Sequence, residues 1–127
     1  MSVGFIFVWE GGETMKITRN NAMALWEGTY GNRSYAEDFD GGLMRKDAYG
    51  DAEYYEIRHG RKVYCGWNIH HILPKACGGD DSKWNLICTN IMTNEAAGDK
   101  ISYWIDDNLY QVKKIKGTHQ YAIYHIN

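Results

Sequence analysis

The chain has one proline in 127 residues, Pro74, so it holds no proline-rich linker or recognition tract. It has three cysteines and no Cys-x-x-Cys pair. An odd count rules out a complete disulfide framework, and a reducing, cytoplasmic setting is the expectation. Charge of one sign is also missing. Fourteen Lys and Arg face 16 Asp and Glu, a formal net of −2, which rules out a generally basic DNA-coating protein. Any nucleic-acid contact must be local. No apolar run approaches a membrane-spanning length. The longest, Val3 to Trp9, lacks a basic leader region and is followed by Glu10-Gly11-Gly12-Glu13, so it reads as a strand and not as a signal peptide.

Aromatic residues are plentiful: 5 Trp, 10 Tyr and 3 Phe suffice to build a core, and disorder is not expected. The length fits one domain. Gly-Gly-Glu a few codons before Met15 could also encode a purine-rich ribosome-binding site. Met1 and Met15 are therefore both candidate starts, and residues 1–14 are assigned no function. Intact mass of protein made from the native gene decides between them.

Charge is divided unevenly. Residues 1–60 hold 6 Lys/Arg against 10 Asp/Glu, and residues 61–127 hold 8 against 6. The first part reads as scaffold and the second as the place to seek an anionic partner. Thr18 is a suitable N-cap for a helix to about Glu27, with Ala22, Leu25 and Trp26 on one face and Gly28 and Gly31 as stops. Gly41-Gly42 reads as a hairpin turn, and Tyr54 to Tyr64 as two short strands around His59-Gly60. Val63, Cys65 and Trp67 alternate as in a half-buried strand. Residues 74–84 are loop, Leu86 to Cys88 a short strand, and Asn90 to Ala97 a short helix closed by Gly98. Ser102 to Asn108 is expected to form a helical turn or two. Tyr110 to Ile115 and Gln120 to Ile126 are expected to form a hairpin.

The chemistry gathers between Gly66 and Lys100. His70 and His71 are adjacent at the end of a strand, where neighbouring side chains point to opposite faces. If the strand bends, both can border one site and do different jobs. An imidazole can bind a divalent metal or take a proton from water near neutral pH. Taken alone, such a pair more often serves as two hydrogen-bonded polar residues in a turn. Asn85 opens the next strand and Asn94 follows on the helix. Neutral amide oxygens suit a hard cation that keeps waters and meets a phosphate. One metal beside one general base fits phosphodiester hydrolysis.

The run His70-His71-Ile72-Leu73-Pro74, Gly78-Gly79, Asn85-Leu86 and Asn94 resembles the motif of the HNH endonucleases, the ββα-metal nucleases. Fourteen positions separate His71 from Asn85 and nine separate Asn85 from Asn94, similar to the HNH lobe of RNA-guided DNA-cleaving effectors. The likeness covers about 35 residues; the rest of the chain is more weakly similar to small bacterial and phage HNH proteins. It implies an α+β fold: a ββα-metal core over 61–105, an N-terminal α/β extension over 1–60 and a C-terminal β-hairpin over 106–127. It implies that His71 is the general base, that His70 and Asn94 are metal ligands, and that Asn85 bridges the loop and orients His71. The working ion would be Mg²⁺ or Mn²⁺, with Ni²⁺ or Zn²⁺ as alternatives, since a neutral ligand pair holding an imidazole does not select strongly for Mg²⁺.

Many relatives carry two Cys-x-x-Cys pairs around a structural zinc. Here Cys65 and Cys88 stand where one member of each pair would be, and two thiols do not close a four-ligand site. No structural zinc is expected. Both cysteines should pack as small hydrophobes, with Trp67, Trp84, Trp104 and the N-terminal half supplying core instead. Lys75, Lys83 and Lys100 flank the motif and are the expected phosphate contacts. Lys113, Lys114 and Lys116, with Tyr110, Tyr121 and Tyr124, make the C-terminal hairpin either a second nucleic-acid surface or a lysine-protected edge. His119 and His125 are given no chemical role.

The leading expectation is thus a metal-dependent DNA endonuclease working in the cytoplasm of a bacterium or a phage-infected host. RNA stays open as a substrate because the motif handles the phosphate and does not read the sugar. The alternative is an HNH-like module without turnover that inhibits a protein partner through the acidic N-terminal half. Cutting both strands would call for a homodimer or two successive nicks.

Overall fold

The computed structural model describes residues 2–5 and 13–127, with side chains from residue 13 onward. The fold is α+β, with helices α1 (Arg19–Tyr30) and α2 (Ile91–Ala97). Ten short strands pair antiparallel. Three hairpins come first in the chain's middle: β2 (Tyr35–Glu37) with β3 (Leu43–Arg45), β4 (Tyr55–Arg58) with β5 (Arg61–Tyr64), and β6 (Trp67–His71) with β7 (Leu86–Asn90). A four-stranded sheet runs in the order β1 (Ser2–Phe5), β10 (Tyr121–His125), β9 (Asn108–Lys114), β8 (Ser102–Ile105). The remainder of the expected strand from Val3 to Trp9 lies outside the described residues. Among those described, no helix is long and apolar enough to cross a membrane.

All five residues of β7 are buried. A strand buried on both faces must be sandwiched, and β6–β7 separates two cores. On one side Trp26, Leu25 and Met44 pack with Trp67, Ile69, Leu86 and Cys88. On the other, Ile72 and Ile87 pack with Ala97, Tyr103, Tyr110, Val112 and Ile123. Thr18 caps α1 by accepting from the Asn21 amide at 3.2 Å, and Ala22, Leu25 and Trp26 form its buried face. The helix runs through Gly28, which is tolerated inside it, and ends at Gly31, where φ is 65°.

Three expectations need correction. Ser102 to Ile105 is a strand, not a helical turn: Tyr103 and Ile105 are buried while Ser102 and Trp104 face out, a period of two. Asp106, at φ 51°, turns this strand directly into β9, so the C-terminal unit is a meander with β1 added. Trp104 is 59% exposed and supplies no core; Trp26, fully buried against Trp67, does that work. The alternation from Val63 to Trp67 is not one strand either. It breaks at Gly66, where a Cβ would lie 1.9 Å from the Asp51 carbonyl oxygen, so only glycine fits.

The break matters because β4–β5 is a hairpin of its own. His59 (φ 51°) and Gly60 (φ 75°) make its two-residue turn. It straddles the boundary at residues 60 and 61. Glu56 anchors it to the body: its carboxylate accepts from Tyr54 and Tyr35 at 2.7 Å each, from Arg45 at 3.2 Å and from Arg58 at 3.0 Å. Chiefly through the two tyrosines, the Glu56 carboxyl falls from 4.5 to about 2. A carboxyl lowered in the folded state adds stability above its unfolded value and loses it as pH falls through the folded one. Glu56→Gln is therefore expected to lower Tm near neutral pH. The deficit should shrink from pH 4.5 downward and vanish near pH 2. Thermal melts over that range measure it; a pH-independent deficit would show that the charge is not what anchors the hairpin.

Candidate active site

β6 ends at His71, and β7 feeds α2 through Asn90. Asn90 caps the helix by accepting from the Met92 amide at 2.9 Å, while its own amide nitrogen donates to the Leu43 and Tyr64 carbonyls at 2.8 Å each. The Asp38 carboxylate accepts the Asn90 backbone N–H at 2.9 Å and that of Gly42 at 2.7 Å. These bonds lock the start of α2 onto the β2–β3 turn and the foot of β5. Asn94 is therefore presented from a fixed helix. Nothing in the sequence pattern singles out Asp38, and the bonds from Asn90 to Leu43 and Tyr64 span separations that local spacing does not reveal.

His70 and Asn94 meet. His70 Nδ1 lies 2.5 Å from Asn94 Oδ1, and the Asn94 amide nitrogen donates to Asn68 Oδ1 at 2.8 Å. That second bond turns the Asn94 oxygen toward the imidazole. His70 is 4% exposed. Burial pushes its pKa down, and the neighbouring His71 adds to this while the Asn94 contact opposes it. His70 is held neutral, the form in which imidazole serves as a ligand.

His71 opens onto the same cleft of about 320 Å³, which His70, Pro74, Lys75, Asn94 and Asp99 also line. Its Nε2 lies 2.8 Å from Asp81 Oδ1. Lys75 approaches the same carboxylate at 3.3 Å. The His71 contact first, and Lys75 after it, hold the Asp81 carboxyl below its usual range. A carboxylate can only accept, so His71 carries a proton on Nε2, and in the neutral ring the lone pair is on Nδ1. Nδ1 has no hydrogen-bond partner among the described residues.

Asn85 is fully buried and closes the loop between the strands. Its oxygen accepts from the Leu73 amide at 2.7 Å, and its nitrogen donates to the Leu73 and Asp80 carbonyls at 2.9 and 3.0 Å. It ties the two sides of the loop together and reaches His71 only through the chain: the group on the imidazole is Asp81. Local sequence places Asp80-Asp81 in a turn and gives them no role. The signal available is a carboxylate ten positions after His71 in a short, tightly returned loop.

The three flanking lysines differ. Lys75 is paired with Asp81, and Lys83 lies 3.1 Å from Glu13. Lys100 is exposed after Asp99. Residues 13–15 run beside the loop, with the Met15 amide donating to the Asp81 carbonyl at 2.8 Å and the Lys83 amide donating to the Glu13 carbonyl at 2.9 Å. Cys65 and Cys88 are buried; Cys88 packs with the Trp26 core, and burial raises its thiol to about 12. His119 lies in a separate groove with Trp84 and Tyr121, and His125 contacts Asn127.

Among the described residues, no three His, Cys, Asp or Glu side chains converge as a metal-binding group. The His70–Asn94 pair contributes one of those types and one amide. It fits a cation on other grounds: a buried imidazole and an oriented amide oxygen meet at the wall of an open cleft, where a cation would take the place of the Nδ1 proton that now joins them and water and phosphate oxygens would complete its shell. Compared with models of protein families, with curated proteins and with solved structures, the chain matches none.

Proposed function

We propose that the chain is a metal-dependent endonuclease of the HNH type, built on a ββα-metal unit formed by β6, β7 and α2, that hydrolyses DNA phosphodiester bonds. One observation carries the reading: a histidine–amide pair suited to a cation and a second, carboxylate-braced histidine line one cleft. His70 and Asn94 would hold the metal. When bound, a divalent ion there supplies positive charge against the scissile phosphate and the leaving 3′ oxygen.

The chain's own groups do the rest. Asp81 fixes the Nε2–H tautomer of His71 and steadies the positive charge the ring gains. His71 Nδ1 takes a proton from water as the water oxygen attacks phosphorus. The bond from phosphorus to the 3′ oxygen breaks, leaving a 5′-phosphate, and the departing oxygen takes a proton from solvent. Asn85 keeps the loop short enough for Asp81 to meet His71.

Asp81→Asn is expected to lower kcat about 10- to 100-fold with KM little changed, because it weakens the hold on the imidazole and leaves the cleft's other groups in place. Steady-state cleavage rates check this, and a wild-type kcat would remove Asp81 from the role. Supercoiled plasmid incubated with Mg²⁺, Mn²⁺, Ni²⁺ or Zn²⁺, and with EDTA, tests the reading as a whole. Nicking with metal and none with EDTA is expected. Intact plasmid under every metal contradicts it and leaves the inhibitory binding module.

A further inference from the structure

The surplus of positive charge in the second half of the chain sits on one hairpin. Residues 65–127 hold 6 Lys/Arg and 6 Asp/Glu, a balance of zero, so the excess over 61–127 is Arg61 and Lys62 alone. Both lie on β5, whose hairpin with β4 also carries Arg58 and a single carboxylate, Glu56. The flanking lysines Lys75 and Lys83 are in ion pairs. Arg61 and Lys62 are exposed and have no carboxylate partner among the described residues.

The two faces of the hairpin are unlike. Glu56 and Arg58 turn toward Tyr35 and Arg45, where the Glu56 bonds fasten the hairpin down, and Arg61, opposite Arg58, shares their face at the exposed tip. The opposite face holds Tyr55, Ile57, Lys62 and Tyr64, paired across the strands. Tyr55 is 43%, Ile57 63% and Tyr64 37% exposed. The two tyrosine rings lie 5.7 Å apart, and the Lys62 ammonium sits 4.5 Å over the Tyr55 ring, which holds it at the surface. This face continues onto α2: Tyr64 and Met92 line one groove, and Lys62, Met92 and Ala96 line the next. Asn94 stands on the other side of the same short helix, two residues from Met92 and from Ala96. From the foot of the hairpin, the five residues of β6 lead to His70 and His71.

We infer that the β4–β5 hairpin is the arm that grips duplex DNA, with Arg61 and Lys62, one on each face of the ribbon near its tip, on backbone phosphates. The inference rests on the nuclease reading for its substrate and adds the surface that holds it. A rigid two-stranded ribbon is of the size the major groove admits, and its unpaired cations meet the phosphates that border the groove. A chain with net −2 charge needs such a local grip, because its surface as a whole repels a polyanion.

The test is fluorescence anisotropy of a short labelled duplex with the full chain, in EDTA so that nothing is cut, over a series of salt concentrations. Replacing Arg61 and Lys62 together by alanine should weaken binding about 10-fold or more at low salt. It should also reduce the slope of log K against log salt by about 2, close to one unit for each phosphate left without its cation. The charge-preserving pair Arg61→Lys with Lys62→Arg should keep the wild-type slope, which separates an effect of charge from a failure to fold. Lys113→Ala with Lys114→Ala on the C-terminal hairpin should leave binding unchanged. A wild-type slope in the alanine pair, an equal loss from the Lys113 and Lys114 changes, no duplex binding by the wild type, or tighter binding to single-stranded RNA each overturns the inference. Plasmid nicking by the wild type is read separately. Hairpin-dependent binding without nicking under any metal upholds the arm and fells the nuclease, and nicking with hairpin-independent binding does the reverse.

Discussion

His71→Ala is expected to reduce DNA cleavage by about 10²–10⁴-fold, the range that a positioned general base contributes. The imidazole lines the cleft with a carboxylate on one nitrogen and no partner among the described residues on the other. Its side chain is 21% exposed and sits at the end of β6, outside both hydrophobic cores. Asp81 keeps Lys75 as a partner. With the side chain mostly covered and one hydrogen bond lost, stability should fall by about 1 kcal/mol, well short of unfolding. Cleavage rates and a urea melt on the same preparation measure both sides. A variant that still cuts at the wild-type rate removes His71 from the mechanism; one that does not fold says nothing of the base, and His71→Gln, which keeps more of the side-chain volume, then takes its place.

Asn85→Asp is the second large effect, and it acts first on the fold. The substitution is nearly isosteric, so it tests hydrogen bonding and charge and leaves packing volume alone. One oxygen can still accept from Leu73. The other replaces a nitrogen that donates to the Leu73 and Asp80 carbonyls, and oxygen would face oxygen at about 3 Å. Gly79 packs so tightly against this point that a Cβ would come within 1.8 Å of the Leu73 oxygen and 2.9 Å of the Asn85 nitrogen, so the loop has no room to yield. An unpaired charge at a fully buried position costs about 3–5 kcal/mol. The urea midpoint should fall accordingly, and cleavage with it, since the freed loop carries Asp81. A loss under about 0.5 kcal/mol would mean that Asn85 does not close the loop.

How much of this could be read from the chain follows from the reach of each cue. The strand–loop–strand–helix unit from Trp67 to Ala97 obeys local rules: short apolar strands, glycines in the loop, an Asn cap and a Gly stop. Its spacing puts His70 and Asn94 in one small unit, and α2 packing back over β6 brings them into contact. The features that local rules miss are longer in reach. Ser102 to Ile105 has only four residues, too few to distinguish a period of two from a helical turn until Tyr103 and Ile105 have a core to face. Trp104 is apolar by type, yet it falls on the open side of that strand. Lys83 is 70 positions from Glu13, and no spacing rule joins them. A charge count split at residue 60 divides the β4–β5 hairpin in two and conceals that the positive excess belongs to it.

The most direct test of the account is cleavage of duplex DNA in ¹⁸O-labelled water with Mg²⁺ or Mn²⁺, followed by mass analysis of the ends. A water deprotonated by His71 and attacking phosphorus leaves one ¹⁸O on a 5′-phosphate and none on the free 3′-hydroxyl. That result is the one predicted. A 3′-phosphate end, an unlabelled 5′-phosphate, or uncut DNA with every metal would contradict it.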